Sequence, residues 1–401
     1  MTRRRRRAIR VRVHAATALL VASIALPGAL HADELQLRRE ATTVVGTTVA
    51  VGDAGVQFQP RGSEPILYTW DRVRSLASTD ADEQAAFDAY REFADAAWRA
   101  RTRVERGDFA MAEPLLVDLF EKTRGRTDAT ALVVAEGLLR ARLARSEYTE
   151  AIIPWLETFR LLDAGFERVA YRERPGALDE RTGLCPSLPP MWSPSPSLDE
   201  LIARLDAYEP MGSPATISLA TLYLAGARQA SGESIELPAL ARLADETMDG
   251  RDAVAIVWSF LVGVGGDEFE GVDSSARDAA IRSLDRLVRA DGDLPSWRLF
   301  ARGSSLARSP EDDVAKDGLL DLLTIPASLG EVDPYLAGYA LSIAAARLEA
   351  LGEPDAAASL RRELGRRYPN HPARPANARA DQTTPASSTL ATNDRLSETD
   401  S

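Results

Sequence analysis

The chain has 401 residues, of which 45% are hydrophobic and 27% are charged. This composition is typical of a globular protein and excludes a fibrous or low-complexity chain, while the length suits several domains or one extended repeat array. The formal net charge of −12 opposes binding to nucleic acid and to anionic lipid, since both require a basic protein surface. We therefore expect no nucleic-acid partner.

The N-terminus has the three parts of a secretory signal peptide. A basic start, Arg3 to Arg7, is followed by an apolar stretch, Ala15 to Leu30, and by a small residue, Ala32, at the predicted cleavage point. We therefore predict a signal peptide at 1–32 and an exported protein in the periplasm or cell envelope of a bacterium. Its removal takes the formal charge from −12 to −19, because seven arginines and no acidic residue are lost.

An uncleaved membrane anchor is the alternative interpretation of this segment. The apolar stretch is shorter than the ~20 residues that a membrane-spanning helix needs. We therefore expect no membrane span after signal cleavage. The doubled arginines also occur in twin-arginine signals, so the export route stays open.

The counts of cysteine and histidine limit the chemistry of the folded part. The single cysteine, Cys185, has no partner for an internal disulfide. His14 and His31 lie in the signal or its junction, and His371 lies at the edge of a polar tail. Residues 33–367 thus offer no histidine for a Ser-His-Asp triad, a Cys-His pair or a histidine-ligated zinc site. We predict a protein that is not an enzyme, with no catalytic residue, no cofactor and no metal site.

A small β unit is predicted at 33–78. The segment from Thr42 to Val51 is rich in β-branched residues, and a turn at Gly52 to Gly55 follows it. A second turn, Arg61 to Pro65, precedes a last predicted strand from Ile66 to Trp70. Four or five short strands predict a small barrel or a curled sheet. So small a unit is marginal alone, and we expect it to pack on the next domain.

Helical periodicity begins at residue 81, and one turn pattern recurs within it. Each copy has a small residue, an acid directly after it, and an alanine five residues after the small one. The small residue and the alanine stand at Gly107 and Ala112, at Ser146 and Ala151, and at Gly352 and Ala357. A tight turn between antiparallel helices needs left-handed backbone geometry, which glycine adopts freely, and the alanine permits close helix approach.

These positions resemble the tetratricopeptide-repeat (TPR) family, which has a small residue at the turn between its two helices and an alanine five residues later. Ala345 and Pro369 also stand at positions typical of that family, around the third copy. The resemblance covers residues 85–162 and 333–369, and the interval of 39 residues between the first two copies exceeds the ~34 of the family. It implies stacked helical hairpins that form a superhelix with a groove for a protein or peptide.

The resulting fold class is mainly α, an irregular TPR-like superhelix of α-hairpins after the small β unit. Its parts are TPR-like hairpins at 81–162, a Pro-rich loop at 163–197, a hairpin array at 198–369 that ends in a TPR-like repeat, and a disordered tail at 370–401. After the loop, the predicted helices cover 197–208, 213–231, 236–248, 251–264, 273–290, 295–308, 311–323, 333–351 and 354–367.

Several motifs that could bear chemistry have a simpler explanation. Cys185 has no histidine to act as its base, so we interpret it as a packed thiol. The run Gly263 to Gly266 is followed by the acidic residues 267–270, which would repel phosphate, and we interpret it as the end of an apolar helix. Neither 267–270 with Asp273 nor 291–293 has the spacing of a helix-loop-helix calcium site, so we expect solvated loops.

The predicted function is a non-catalytic exported scaffold that binds a protein or peptide at the cell envelope. Two alternatives stay open, a carboxylate-based hydrolase of envelope glycan and a structural subunit of an envelope assembly. A hydrolase would use a pair of carboxyl groups in a groove walled by tryptophans. Four tryptophans are candidates for such a groove, but at helical spacing they are expected to be core residues instead: Trp155, Trp192, Trp258 and Trp297.

Overall fold

The computed structural model describes most of the chain between the predicted signal peptide and the polar tail. The described residues are 32–168, 171, 176–209, 211–235, 252–265, 272–288 and 294–374. The predicted signal, the predicted helix at 236–248, the acidic residues 267–270 and 291–293 and the tail from 375 onward lie outside them. Within the described part, a sheet of five strands precedes twelve α-helices, so the fold is mainly helical.

The N-terminal unit is an open antiparallel sheet. Its strands are β1 (Asp33–Leu37), β2 (Thr43–Gly52), β3 (Gly55–Pro60), β4 (Ile66–Tyr68) and β5 (Val73–Ala77), in the spatial order β4-β3-β2-β1-β5. Strands β4 and β5 form the two edges of the sheet and do not pair with each other. Of the two predicted forms, a small barrel and a curled sheet, the barrel is therefore not formed. Strand β5 was not predicted, because its buried residues do not alternate with exposed ones. The alternation is broken where the pairing with β1 shifts register, between Gln36 and Leu37.

The sheet packs on the first helix through a small core of its own. One face of the sheet contributes Leu35 and Phe58, the turn after β4 contributes Trp70, and the helix contributes Phe87 and Ala94. The first three are completely buried. Trp70 stacks on a tyrosine of the same helix, with ring centroids 4.7 Å apart. The expectation that the β unit packs on the next domain is met, because side chains of α1 share the core of the sheet.

The described helices after the Pro-rich loop follow their predicted boundaries within three residues, and the first four helices occupy the range predicted for hairpins. The first six are α1 (Ala81–Arg106), α2 (Phe109–Thr123), α3 (Ala129–Ala144), α4 (Tyr148–Asp163), α5 (Pro196–Asp206) and α6 (Pro214–Ala230). The others are α7 (Asp252–Gly265), α8 (Ser274–Leu287), α9 (Pro295–Ala307), α10 (Asp312–Thr324), α11 (Pro334–Ala350) and α12 (Pro354–Arg367), with a π-helical turn, Ile325–Leu329, after α10.

The three predicted turns share one backbone geometry. Gly107, Ser146 and Gly352 all have left-handed φ angles, of 79°, 62° and 82°. In each turn the amide of the following residue donates to a carbonyl five positions back, at 2.9 Å, which is the bond of a Schellman motif. Two further turns of this form, at Gly165 with φ 93° after α4 and at Gly232 with φ 92° after α6, were not recognised in the sequence.

The alanine of each copy lies where two helices meet. Ala112, Ala151 and Ala357 are completely buried, one turn into the second helix of their hairpins. Each amide donates to the carbonyl of the acidic residue that follows the turn, which starts the helix there. The pattern read from the sequence therefore corresponds to a real repeated hairpin, although it does not establish a TPR superhelix.

The C-terminal helices form an inner and an outer row. Helix α9 contacts both α7 and α11. Each of these three helices also contacts its neighbours in sequence. They are buried on most sides, whereas α8 and α12 bury only two residues each, along one stripe. The apolar helices therefore form the inner row, and the amphipathic ones cover it.

The Pro-rich loop is part of the core rather than a surface connection. Leu184, Cys185 and Leu188 are completely or almost completely buried. The carbonyls of the loop accept hydrogen bonds from core aromatic side chains. The donors are Trp155 to Gly183, Trp297 to Pro186, Tyr223 to Leu188 and Tyr335 to Met191.

The folded part extends beyond residue 369, where the disordered tail was predicted to begin at 370. His371 and Arg374 are 5% and 7% exposed. The His371 ring packs edge-on against Tyr339 and lies in a space that Gly338 leaves open, since a Cβ there would come within 2.4 Å of the ring. The histidine that the sequence placed at the edge of a tail is therefore a core residue.

We expect the substitution Gly352→Ala to lower the free energy of unfolding by about 1 kcal/mol, because alanine at a left-handed φ is strained. A Cβ at this position meets no atom within 4 Å, so the effect would be conformational. Gly52→Ala is the control, since its Cβ also meets nothing and its φ is not left-handed. Urea unfolding measures both, and equal effects would contradict a strained turn.

Trp297→Phe tests the loop. It removes the indole donor to the Pro186 carbonyl, at 2.8 Å, and leaves that carbonyl buried without its partner. We expect a loss of about 2 kcal/mol beyond that of Trp258→Phe, because an unsatisfied buried polar group costs about 1–3 kcal/mol. Trp258 is half-buried, and its indole donates no hydrogen bond within the described residues. A difference near zero in thermal or urea unfolding would contradict this role for the tryptophan.

Candidate functional site

The sequence predicted no site residue, but the structure contains a charged cleft of about 460 Å³ where the sheet meets the helices. Arginines from four separate segments line it, together with three carboxylates and one tryptophan. The lining residues are Arg38, Arg39, Glu40, Thr69, Asp71, Arg72, Trp98, Arg101, Ala129, Val133, Glu167 and Arg168. We call this feature the arginine cleft.

Two neighbouring strand ends build one wall of the arginine cleft. Arg38 and Arg39 follow β1, and Arg72 precedes β5, its antiparallel neighbour. The amide of Arg38 donates to the carbonyl of Arg72 at 2.7 Å, so the two turns are fixed to each other. The pairing of β1 with β5 therefore brings together arginines that lie more than thirty positions apart in the sequence.

Helix α1 forms the opposite wall and holds the first arginine in place. The Arg38 guanidinium lies 4.6 Å from the ring centroid of Trp98, in a cation–π contact. Its Nη2 donates to Asp95 of the same helix, and its Nε donates to the Val73 carbonyl at 2.9 Å. Arg38 is therefore a rigid part of the wall, with only 9% of its side chain exposed.

The floor of the arginine cleft is a buried ion pair. Arg101 donates from Nη1 to the Asp71 carboxylate at 2.5 Å, and Asp71 has no exposed side-chain surface. Desolvation lowers the pKa of Arg101, but the charge of Asp71 outweighs it and the net pKa is raised. Behind the floor, Tyr171 lies between Arg101 and Arg140, with guanidinium-to-centroid distances of 5.6 and 4.7 Å.

The remaining arginines differ in how they are held. Arg39 pairs with Glu105 of α1, whereas Arg72 only approaches Glu40, at 3.6 Å, beyond hydrogen-bond distance. The Arg72 side chain donates no hydrogen bond within the described part of the chain. Arg168 donates to backbone carbonyls, the closest that of Asp179 at 2.7 Å. Arg72, at the mouth of the cleft, thus keeps its guanidinium donors available.

Two polar atoms in the lining residues have no hydrogen-bond partner among the described residues. These are Trp98 Nε1, a donor, and Asp71 Oδ1, an acceptor. Buried polar atoms without partners are uncommon in native structures, and each calls for an explanation such as a bound molecule. Both residues line the arginine cleft, although the two atoms themselves are buried.

Arg39 has an unusual backbone conformation for its residue type. Its φ of 70° is left-handed, in a turn where a glycine would be unstrained. Such strain persists where the surroundings fix it and is found often at functional sites. Here the salt bridge to Glu105, on α1, fixes the side chain against the cleft wall.

A second cavity, of about 480 Å³, lies between α4, the loop after it and the start of α7. Asp163, Glu180 and Asp252 contribute carboxylates, and Arg168 and Arg181 contribute positive charge. Arg181 pairs with Asp252, so this acidic residue is engaged. No tryptophan lines this cavity, and the tryptophan groove expected for a glycan hydrolase does not occur there.

The tryptophans considered for such a groove lie in the core. Trp155 and Trp297 are completely buried, Trp192 is 8% exposed, and Trp258 is half-buried against the same core. Helical spacing thus predicted their packing role correctly. The indole groups of Trp155 and Trp297 donate to carbonyls of the buried loop.

The other sequence candidates have structural roles where they are described. Cys185 is completely buried, and desolvation raises the pKa of its thiol to about 12, so the thiolate needed for nucleophilic attack is not populated at neutral pH. Gly263 and Gly265 lie at the end of α7, as expected of an apolar helix that ends in glycines. Asp273 caps α8 by accepting from the amide of Ala276 at 2.8 Å.

Neither metal clusters nor membrane spans occur in the described ranges. No group of three or more histidine, cysteine or acidic side chains there is arranged to hold a metal ion. Among the same residues, no helix combines the length and the apolar character that crossing a membrane requires.

The chain matches no protein-family profile, no curated protein and no solved structure. The resemblance to the TPR family therefore rests on the turn pattern, and the part that the structure bears out is a mainly helical chain of hairpins.

Arg39→Gly and Arg39→Ala together test the strained turn. Both remove the guanidinium and its salt bridge, but only glycine accepts a φ of 70° without strain. We expect the glycine variant to be more stable than the alanine variant by about 1 kcal/mol, measured by urea unfolding. Equal stabilities would mean that the turn relaxes and that the left-handed conformation is not imposed by its surroundings.

Proposed function

We propose that the protein is an exported, non-catalytic scaffold whose helical hairpins bind a protein or peptide partner at the bacterial cell envelope. The observation that carries this proposal is the repeated hairpin turn, with the same φ region and the same hydrogen bonds at Gly107, Ser146 and Gly352. Stacked hairpins present extended surfaces, and repeat proteins of this kind use such surfaces to bind peptides.

The proposed arrangement is an irregular TPR-like superhelix. The inner row of α7, α9 and α11 supports it, because alternate helices in contact are what stacking of hairpins produces. The buried loop between α4 and α5 interrupts the regular series and accounts for the irregularity. The state of the single cysteine supports a non-catalytic role. The Cys185 thiol is buried, and desolvation raises its pKa, so it is protonated at neutral pH.

Export is supported by the position of the first strand. Strand β1 begins at Asp33, directly after the proposed cleavage point at Ala32. The Asp33 carboxylate accepts hydrogen bonds from the amides of Thr48 and Thr79, both at 2.7 Å. Desolvation raises its pKa, but these hydrogen bonds outweigh it and lower the pKa overall. A signal peptide that ended at Ala32 would therefore leave the sheet intact.

Photo-crosslinking in the native envelope tests this proposal. A crosslinking side chain replaces Met111 on α2 or Leu320 on α10, which are 55% and 66% exposed, and Val49 on the sheet serves as the control position. We expect the helical positions to yield the same protein adduct, identified by mass spectrometry, and the control to yield none or less. These single surface changes leave the core unaltered.

Two results would contradict the scaffold proposal. One is the absence of any reproducible protein adduct at the helical positions. The other is retention of envelope glycan by the purified protein together with its cleavage, which would favour the hydrolase. In that case Asp163→Asn and Glu180→Gln, in the second cavity, would be the first variants to assay for loss of cleavage.

A further inference from the structure

We propose that the arginine cleft binds a compact organic anion that carries two or more carboxylate or phosphate groups. This small-molecule site goes beyond the scaffold function and does not depend on it. The cleft lies between the sheet and the first helices, at a junction of two packed units, where ligand pockets occur preferentially.

Charge distribution is the first support. Acidic residues outnumber Lys and Arg by 60 to 48 in the whole chain. In the lining of the arginine cleft the balance is reversed, with five arginines against Glu40, Asp71 and Glu167. The N-terminal end of α3, at Ala129, also faces the cleft and adds the positive end of its helix dipole. A protein that is acidic elsewhere thus gathers guanidinium groups at one concave place.

The availability of donors is the second support. Arg72 is half-exposed at the mouth and makes no hydrogen bond from its guanidinium within the described residues. Arg39, on the adjoining turn, has a side chain that is 41% exposed. Guanidinium groups match carboxylate and phosphate oxygens in paired hydrogen bonds, which a single-point cation does not. Two such groups on neighbouring turns favour a ligand with at least two negative charges.

Preorganisation is the third support. The backbone bond from Arg38 to Arg72 fixes the two turns, and the Arg38 side chain is held by Trp98 and Asp95. Arg101 is held by Asp71 at the floor. A site whose cations are already in place avoids much of the entropic cost of ordering them when a ligand binds.

The size of the cleft decides the class of ligand. About 460 Å³ lies within the range of small-molecule pockets, roughly 300–1,000 Å³. A compact organic anion fills more of this volume than inorganic phosphate does.

Together with Arg72, Glu40 allows the proposal to be tested by substitutions that should change anion binding in opposite directions. Its carboxylate approaches Arg72 to 3.6 Å and occupies the place that a ligand oxyanion would take. If the cleft binds anions, Arg72→Gln weakens binding and Glu40→Gln strengthens it. If the charged cluster had only a structural role, the two substitutions would not change anion binding in opposite directions.

The experiment is calorimetric titration of the full chain with citrate and, separately, with inorganic phosphate at low ionic strength. We expect saturable binding of citrate, weakened about tenfold or more by Arg72→Gln, strengthened several-fold by Glu40→Gln, and reduced by added salt. Arg74→Gln is the matched control, since this exposed arginine lies two positions from Arg72 and does not line the cleft. Thermal unfolding confirms that each variant is folded.

The outcomes separate clearly. Tighter binding of citrate than of phosphate, with the expected variant effects, supports a polycarboxylate ligand, and the reverse order supports a phosphate ester. Absence of saturable binding of both probes at millimolar concentration would overturn the proposal. Equal weakening by Arg72→Gln and Arg74→Gln would also overturn it, because binding would then follow general surface charge. None of these results bears on crosslinking to a protein partner.

Discussion

The left-handed turn between the two helices of a hairpin is the constraint on which the helical part depends. It brings the helices close together, with a completely buried alanine in the second helix of each hairpin, and it fixes the point at which that helix begins. Gly107 and Gly352 adopt this geometry without strain, whereas Ser146 adopts it as a non-glycine residue. In the C-terminal helices, the turn at Gly352 returns the chain from α11 to α12. The proposed binding surface depends on the same turns.

The docking of the sheet on these hairpins has a consequence for the proposed ligand site. Trp70 connects the two units, since its indole donates to the Gly52 and Asp53 carbonyls and its amide donates to Thr130 of α3. With the sheet held there, the ends of β1 and β5 face α1 across a gap that neither unit fills. The arginine cleft is this gap. Most of the arginines in its lining pair internally, with Asp95, Glu105 and Asp71.

The sequence predicted the elements that depend on local patterns and missed those that depend on distant contacts. Helix boundaries follow from capping residues and apolar periodicity, so α11 was predicted at 333–351 and is found at Pro334–Ala350. The arginine cleft could not be predicted in this way. Arg39 and Arg72 meet only because β1 pairs with β5, a strand that was itself missed. The adjacent pair Arg38 and Arg39, directly after a strand, was the one local signal available. His371 was misplaced for a similar reason, since its cover comes from α11.

The buried Pro-rich loop explains why an irregular segment can replace regular hairpins without loss of the core. A loop in a protein interior leaves backbone groups without partners, which normally confines loops to the surface. Proline has no amide hydrogen, so the prolines between Pro186 and Pro194 reduce the number of buried donors that need an acceptor. The carbonyls that remain accept from tryptophan and tyrosine side chains of the surrounding helices, such as Trp297 at 2.8 Å and Tyr335 at 2.7 Å. The large aromatic residues here therefore both pack the core and donate hydrogen bonds. The tryptophans that the sequence offered for a sugar-binding groove lie in the interior of the protein instead.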